Sequence, residues 1–292
     1  MIQQLANILV PLFICIAVGW GWARAGQAFD TAGIAGLVTL IGAPCLVFHT
    51  LLAIEIETTL LAQVGLATLV LLVGFAVVGS VALRVAGLSQ LTYLPPLLFP
   101  NIGNVGLPLC LFAFGQEGLA LAVVVFAVMV VFNFTVGIWM YSGSRSPLPA
   151  LLSPIVHATW IALVLRLSGT AVPDALLETA RLLGEFTIPV MLLTLGVSLA
   201  RLRVAAMWRS LWLSCLRIGM GVVLGTALAA LFRFEGAVKG VFILQASMPV
   251  AVFTYLFAVR YQRAPEEAAG LVVVSTLLSM LTLPLLLAWL IP

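Results

Sequence analysis

Pro100-Asn101-Ile102-Gly103-Asn104 sits in the middle of one long apolar stretch, and Gln245-Ala246-Ser247-Met248-Pro249 sits in the middle of another. A transmembrane helix interrupted by Pro, Gly and amides leaves backbone groups unpaired. Lipid cannot satisfy them, so each break must face protein or a water-filled cavity. Two such breaks in corresponding places of two repeats point to a solute site near the bilayer midplane, the arrangement of a carrier.

The rest of the chain places these stretches in a membrane. Of the 292 residues, 63% are apolar and 8% charged, whereas a soluble domain carries about 25% charged residues. A span needs roughly 20 apolar residues. Ten such stretches are expected, at 5–24, 31–53, 60–86, 93–113, 118–141, 149–168, 176–200, 208–232, 238–259 and 267–291. The expected fold class is therefore an all-α integral membrane protein. Little chain remains between spans, which leaves no room for a soluble catalytic or nucleic-acid-binding domain, and the net charge of +3 carries no information about partners.

Met1-Ile2-Gln3-Gln4 has no basic residue and the apolar run after it is long, so the first stretch reads as a retained helix rather than a signal peptide. Cys15, Cys45, Cys110 and Cys215 fall inside spans without Cys-x-x-Cys spacing, which predicts packing rather than a disulfide or metal site. No cofactor is expected. With the N-terminus outside the cytoplasm, the inner ends hold Arg24, Arg84, Arg145, Arg201, Arg203, Arg209, Arg260 and Arg263, and the outer ends hold Arg166, Arg181, Arg233 and Lys239. Cytoplasmic loops are the richer in Lys and Arg. An even number of spans then places both termini outside the plasma (inner) membrane. Glu55, Glu57, Glu117, Asp174, Glu178 and Glu235 gather on the outer side in the same sense.

The second half of the chain repeats the first. At an offset of 149 residues Pro100 meets Pro249, Glu117 meets Glu266 and Val123-Val124-Val125 meets Val272-Val273-Val274, while Pro44 meets Pro189 at an offset of 145. The repeats are read as 1–142 and 149–292, joined by a Gly- and Ser-containing linker at 143–148. Five spans per repeat is odd, so the second copy enters the membrane in the opposite sense. Inverted repeats let one site face either side by exchanging the conformations of the halves.

At each break a half-helix begins inside the membrane, and its free N–H groups and dipole present partial positive charge. Asn101, Asn104, Gln245 and Ser247 add uncharged donors around the prolines of the crossover, Pro100 and Pro249. No Asp or Glu stands at either break, which favours a small organic anion over a cation. Charged groups inside spans are costly and are functional candidates by default. His49 is a candidate for proton coupling or anion contact. So is Glu185, although Glu178, Arg181 and Glu185 have the spacing of an ion-pair ladder on one helix face, and that structural role is favoured. Arg217 is expected to snorkel to the inner surface. Ser153 and His157, four residues apart, have no third group or oxyanion motif, so a hydrolase is disfavoured. The tryptophans lie mostly near span ends, as interfacial anchors do.

These residues resemble the auxin efflux carrier family, which includes plant auxin exporters and bacterial carriers for malate or malonate. The resemblance covers essentially the whole chain. It rests on Val10-Pro11-Leu12, on Pro44-Cys45-Leu46-Val47-Phe48-His49, on Pro100-Asn101 through Gly106-Leu107-Pro108, on Gln245-Ala246-x-x-Pro249 and on Met280-Leu281-x-Leu283-Pro284. It implies ten helices in two inverted five-helix repeats, with helices 4 and 9 crossing at Pro100 and Pro249. It further implies a scaffold of helices 1, 2, 6 and 7, a transport unit of helices 3–5 and 8–10, elevator-like movement and a homodimer. Asn101 and Gln245 are carried over as candidate substrate contacts. The long hydrophilic central loop of the plant carriers is missing, and the residues after Pro249 differ from theirs. A short mono- or dicarboxylate is thus expected at least as much as an auxin-like indole acid, with H+ or Na+ as candidate coupling ions. The alternative is a cation–proton exchanger of similar architecture, or, from a different class, a membrane enzyme or binding protein.

Overall fold

The computed structural model describes residues 2–53, 56–142, 153–202 and 206–291. The linker at 143–148, with Arg145, Pro149, Glu55 and Arg203, lies outside these residues. The described chain is helical throughout, with a single isolated backbone bridge and no strand among the described residues. This is the all-α membrane fold expected from the apolar stretches.

Seven stretches are long and apolar enough to cross a membrane among the described residues, and one of them, Ile102–Ser142, has 41 residues. At 1.5 Å per residue such a helix would reach about 60 Å, twice the hydrocarbon thickness. It turns back at Gly115, whose φ of 64° and ψ of −154° are open only to glycine. Gly115 therefore divides the fourth span from the fifth. The fourth starts with Gln90–Leu98 and the ninth consists of Gly236–Ala246 and Val252–Arg260; the sixth is the short helix Pro154–Ser168. The remaining spans are Ile2–Arg24, Thr31–Ala53, Thr58–Val85, Asp174–Arg201, Met207–Leu231 and Pro265–Leu290.

Local chemistry sets the span ends. Asp30 accepts the Gly33 N–H at 2.9 Å and so caps the second span. Pro154 and Pro265 occupy the first turns of the sixth and tenth spans, where a missing N–H costs nothing. The sixth span closes on Gly169 in the left-handed conformation.

Packing pairs the two halves of the chain. The first span lies along the C-terminal half of the seventh, and the sixth lies along the C-terminal half of the second. The third packs on the first half-helix of the fourth, and the eighth packs on the first half-helix of the ninth. Spans 1 and 7 touch backbone to backbone: a Cβ on Gly19 would stand 2.1 Å from the Leu193 carbonyl oxygen, and one on Gly196 would stand 2.0 Å from that of Ile16. Small residues permit this approach, which replaces the hydrophobic drive absent between helices in lipid.

The second and seventh spans are interrupted as well, a feature sequence reading did not anticipate. The second carries a π-helical turn, Val38–Gly42, just before Pro44, and the seventh breaks between Glu185 and Thr187, just before Pro189. The breaks meet, since a Cβ on Gly42 would stand 2.3 Å from Thr187 Oγ1. Pro44 and Pro189, matched by the repeat offset, thus mark a second pair of facing interruptions.

Candidate functional site

The fourth and ninth spans cross at their breaks through an antiparallel backbone bridge centred on Pro100 and Val250. The Asn101 N–H donates to the Pro249 carbonyl at 2.6 Å, and the Ala251 N–H donates to the Phe99 carbonyl at 3.2 Å. Proline suits the central position, because there neither residue bonds across the bridge and the missing N–H of Pro100 leaves nothing unpaired. The Val250 N–H, directed away from the bridge, finds the hydroxyl of Ser275 on the tenth span at 3.0 Å. Five otherwise orphaned backbone groups are satisfied in this way at membrane depth. Ser275 was invisible to sequence reasoning, being one serine among several in an apolar helix.

Beside the bridge lies a cavity of about 40 Å³. Its polar lining consists of Asn101, Asn104, Asn133 and Thr39, and the charged residues are absent from it. Asn101 is buried, and its Nδ2 has no hydrogen-bond partner. The Thr39 hydroxyl is already committed to the Ala35 carbonyl at 2.7 Å, so the free donors and acceptors are amides. The space holds a few waters; a three- or four-carbon acid requires the walls to separate.

Three π-helical turns converge on this cavity. Val38–Gly42 of the second span, Ile102–Gly106 of the fourth and Asn133–Gly137 of the fifth each contribute lining residues. A π-turn inserts one extra residue into the helix and frees carbonyl groups, and such turns concentrate at functional sites. Each of the three ends on a glycine against which a neighbour closes: Thr187 at Gly42, Gln245 at Gly106, and Phe99 with Asn133 at Gly137. Asn133 was missed from the sequence because nothing marks an isolated Asn in an apolar span. The only signal was its spacing of four residues from Gly137, legible in retrospect.

The residues named from sequence take different places. Pro100, Asn101 and Asn104 line the cavity. Gln245 is fully buried behind Gly106, with both amide atoms unpartnered, and does not line it. Ser247 is also buried, and its hydroxyl donates back to the Ile243 carbonyl at 2.7 Å. His49 and Glu185 sit apart from the crossover, on a cavity of about 500 Å³ between the second, fourth, fifth and seventh spans that also includes Arg181 and Gln116. The ladder allowed by the spacing is present: Arg181 bonds Glu178 at 2.8 Å and Glu185 at 2.7 Å, with all three side chains substantially exposed. A third space, of about 30 Å³, shares Asn104 and Val38 with the crossover cavity and leads towards Thr31 and Leu256.

Arg217 corrects an expectation. It does not snorkel; its side chain is fully buried in the eighth span, with Nη2 donating to the Ala246 carbonyl at 2.9 Å and the guanidinium 4.3 Å from the centre of the Phe75 ring. Direction along the helix decided this, because the side chain points at the ninth span rather than at the interface. The Ser153–His157 pair does not form a nucleophile and base either. The His157 ring nitrogen faces the Ser153 backbone carbonyl at 2.9 Å, and the Ser153 hydroxyl has no partner.

Comparison with known proteins agrees with this architecture. Residues 145–287 match the sequence profile of a family described as membrane transport protein. An uncharacterized transporter of Methanocaldococcus jannaschii is 27% identical over 199 residues, an alignment that takes in 63% of this chain and 63% of the relative. The chain thus aligns with less than two thirds of that relative's length. The profile match lies almost wholly in the second half and includes the ninth-span break, while the motifs of the first half carry the same resemblance. Both matches are to membrane transport proteins, in keeping with the resemblance of the motifs to the auxin efflux carriers.

Proposed function

We propose that the protein is a secondary carrier that moves a small organic anion, such as malonate, malate or an auxin-like acid, through the crossover. The observation that carries this reading is the crossover cavity itself, where the buried amides of Asn101 and Asn133 and the half-buried amide of Asn104 surround the start of a half-helix and no carboxylate lines the space. Helix starts and neutral amides suit a carboxylate, and a cation site in that position calls for anionic or carbonyl ligands turned inward. This weighs against the cation–proton exchanger.

The packing supports an elevator-type cycle. Spans 1, 2, 6 and 7 pair closely with one another, and spans 3–5 and 8–10 form a second group around the crossover. In this reading the first group is the scaffold, built from both repeats (1–142 and 149–292), and the second slides against it. Sliding opens the small cavity alternately towards the larger space at His49 and the smaller one at Thr31. The family resemblance supports a homodimer formed through the scaffold, and the distribution of Arg supports a plasma-membrane location with both termini outside.

The test is binding of malonate and malate to purified protein by calorimetry, in wild type and in Asn101→Ala. Removal of one amide that bonds a charged ligand costs about 1.5–3 kcal/mol, so affinity should fall roughly tenfold or more. The melting temperature should stay close to that of wild type, since Asn101 Nδ2 has no partner in the unliganded protein. Equal affinity in both proteins would remove Asn101 from the site.

A further inference from the structure

The eighth span holds a cation that transport by the crossover amides alone does not use. Arg217 is fully buried, and no carboxylate among the described residues pairs with it. Its Nε and Nη1 have no hydrogen-bond partner among the described residues, and Nη2 donates to the Ala246 carbonyl. Such a charge in the middle of a membrane protein is expensive to keep and marks a function by default. Charge burial without a counter-charge is ordinarily relieved by pairing.

Its position supplies the reason. Ala246 is the last residue of the half-helix Gly236–Ala246, whose C-terminal carbonyls carry partial negative charge towards the crossover. In carriers with broken helices, such C-terminal ends and unwound carbonyls are where a coupling Na+ is coordinated. Here the guanidinium occupies that end, backed by the Phe75 ring, and the eighth span presses against the same place: a Cβ on Gly221 would stand 2.2 Å from the Ala246 carbonyl oxygen. Little space remains for a hydrated or bare ion. The ninth span's break is therefore neutralised by the protein's own charge.

We propose that Arg217 is a built-in counter-ion of the crossover, standing where a coupling cation would bind and offsetting the charge of the carboxylate. The inference rests on the proposed anion carrier and deepens it in two ways. Binding of the anion needs no sodium, because the positive charge is already covalently in place. The buried positive charge of the transport unit also attracts the anion, which selects anions over neutral analogues of the same shape.

The experiment is calorimetric binding of malonate to purified wild type, Arg217→Lys and Arg217→Met, each in sodium and in choline buffer, with malonamide as the neutral analogue. Wild type should bind malonate equally in both buffers and should not bind malonamide. Arg217→Lys, which keeps the charge, should stay within a few-fold of wild type, whereas Arg217→Met should lose tenfold or more while remaining monodisperse. Malonate affinity that requires sodium in wild type, or an unchanged affinity in a folded Arg217→Met, overturns the counter-ion. If Arg217→Met does not fold, the sodium comparison in wild type and Arg217→Lys decides on its own. Failure of wild type to bind any carboxylate sinks the anion carrier and the counter-ion together. Failure in the Arg217 variants or the sodium arm alone leaves the carrier standing.

Discussion

Replacement of Gly106 by alanine tests how the crossover is packed. An ideal Cβ at this position would stand 2.2 Å from Gln245 Oε1, 2.9 Å from its Cδ and 3.2 Å from its Nε2. Ordinary contact begins at 3.4 Å, so the fourth and ninth spans must separate by about 1.2 Å or the amide must leave its place. Gln245 is fully buried and has no open space to turn into. Overpacking of this kind costs about 1–3 kcal/mol. The melting temperature should fall by roughly 2–12 °C at about 2–4 °C per kcal/mol.

The double variant isolates the contact between Gly106 and Gln245. Gln245→Ala removes the obstructing atoms, and because neither amide atom has a partner, no hydrogen bond is lost with them. In that background Gly106→Ala should cost less than about 0.5 kcal/mol, a coupling of roughly 1–2 kcal/mol between the positions. The assay is thermal unfolding of the purified protein in detergent, followed by tryptophan fluorescence. Strictly additive losses in the double variant would refute the contact and with it the described packing of the breaks.

Other consequences concern the supports of the crossover and of the scaffold. Ser275→Ala strands the buried Val250 N–H and should destabilise the protein by about 1–3 kcal/mol, read in the same unfolding assay, while Ser275→Thr restores the hydroxyl and should recover most of the loss. Gly196→Val places a side chain against the Ile16 carbonyl and the Trp20 backbone nitrogen, 2.0 and 2.8 Å from the new Cβ. These are backbone atoms that cannot rotate away, so the yield of monodisperse protein in size-exclusion chromatography should drop sharply, whereas Gly21→Val, which has nothing within 4 Å of its Cβ, should be tolerated.

How much of this was legible depends on whether a feature leaves its own residue type behind. A break in an apolar helix does, because Pro100 and Pro249 cannot continue the hydrogen-bond ladder and amides are rare in lipid. The meeting of the two breaks was also expected, and the bridge through Asn101 and Ala251 realises it. The π-turns left no such mark, since one inserted residue changes neither composition nor apolar character, and Thr39 and Asn133 entered the site unannounced. Ser275 and Gln245 show the same limit from another side. Their roles depend on which backbone group lies opposite, a matter of three-dimensional register. Arg217 was misread because length and position near the inner third of its span suggested escape to water, while the Ala246 carbonyl and Phe75 hold it inside. The ion-pair ladder at Arg181 was readable because it lies within one helix turn, where sequence spacing alone fixes the geometry.

The account stands or falls on flux through the crossover. The most direct measurement is uptake of labelled malonate into liposomes containing the purified protein, compared with Asn101→Ala liposomes of equal protein content. Saturable uptake by wild type, competed by unlabelled malonate or malate and strongly reduced in the variant, is the predicted result. Saturable binding with no uptake under outward or inward gradients, or uptake equal in the two proteins, would contradict the claim that the crossover carries an organic anion across the membrane.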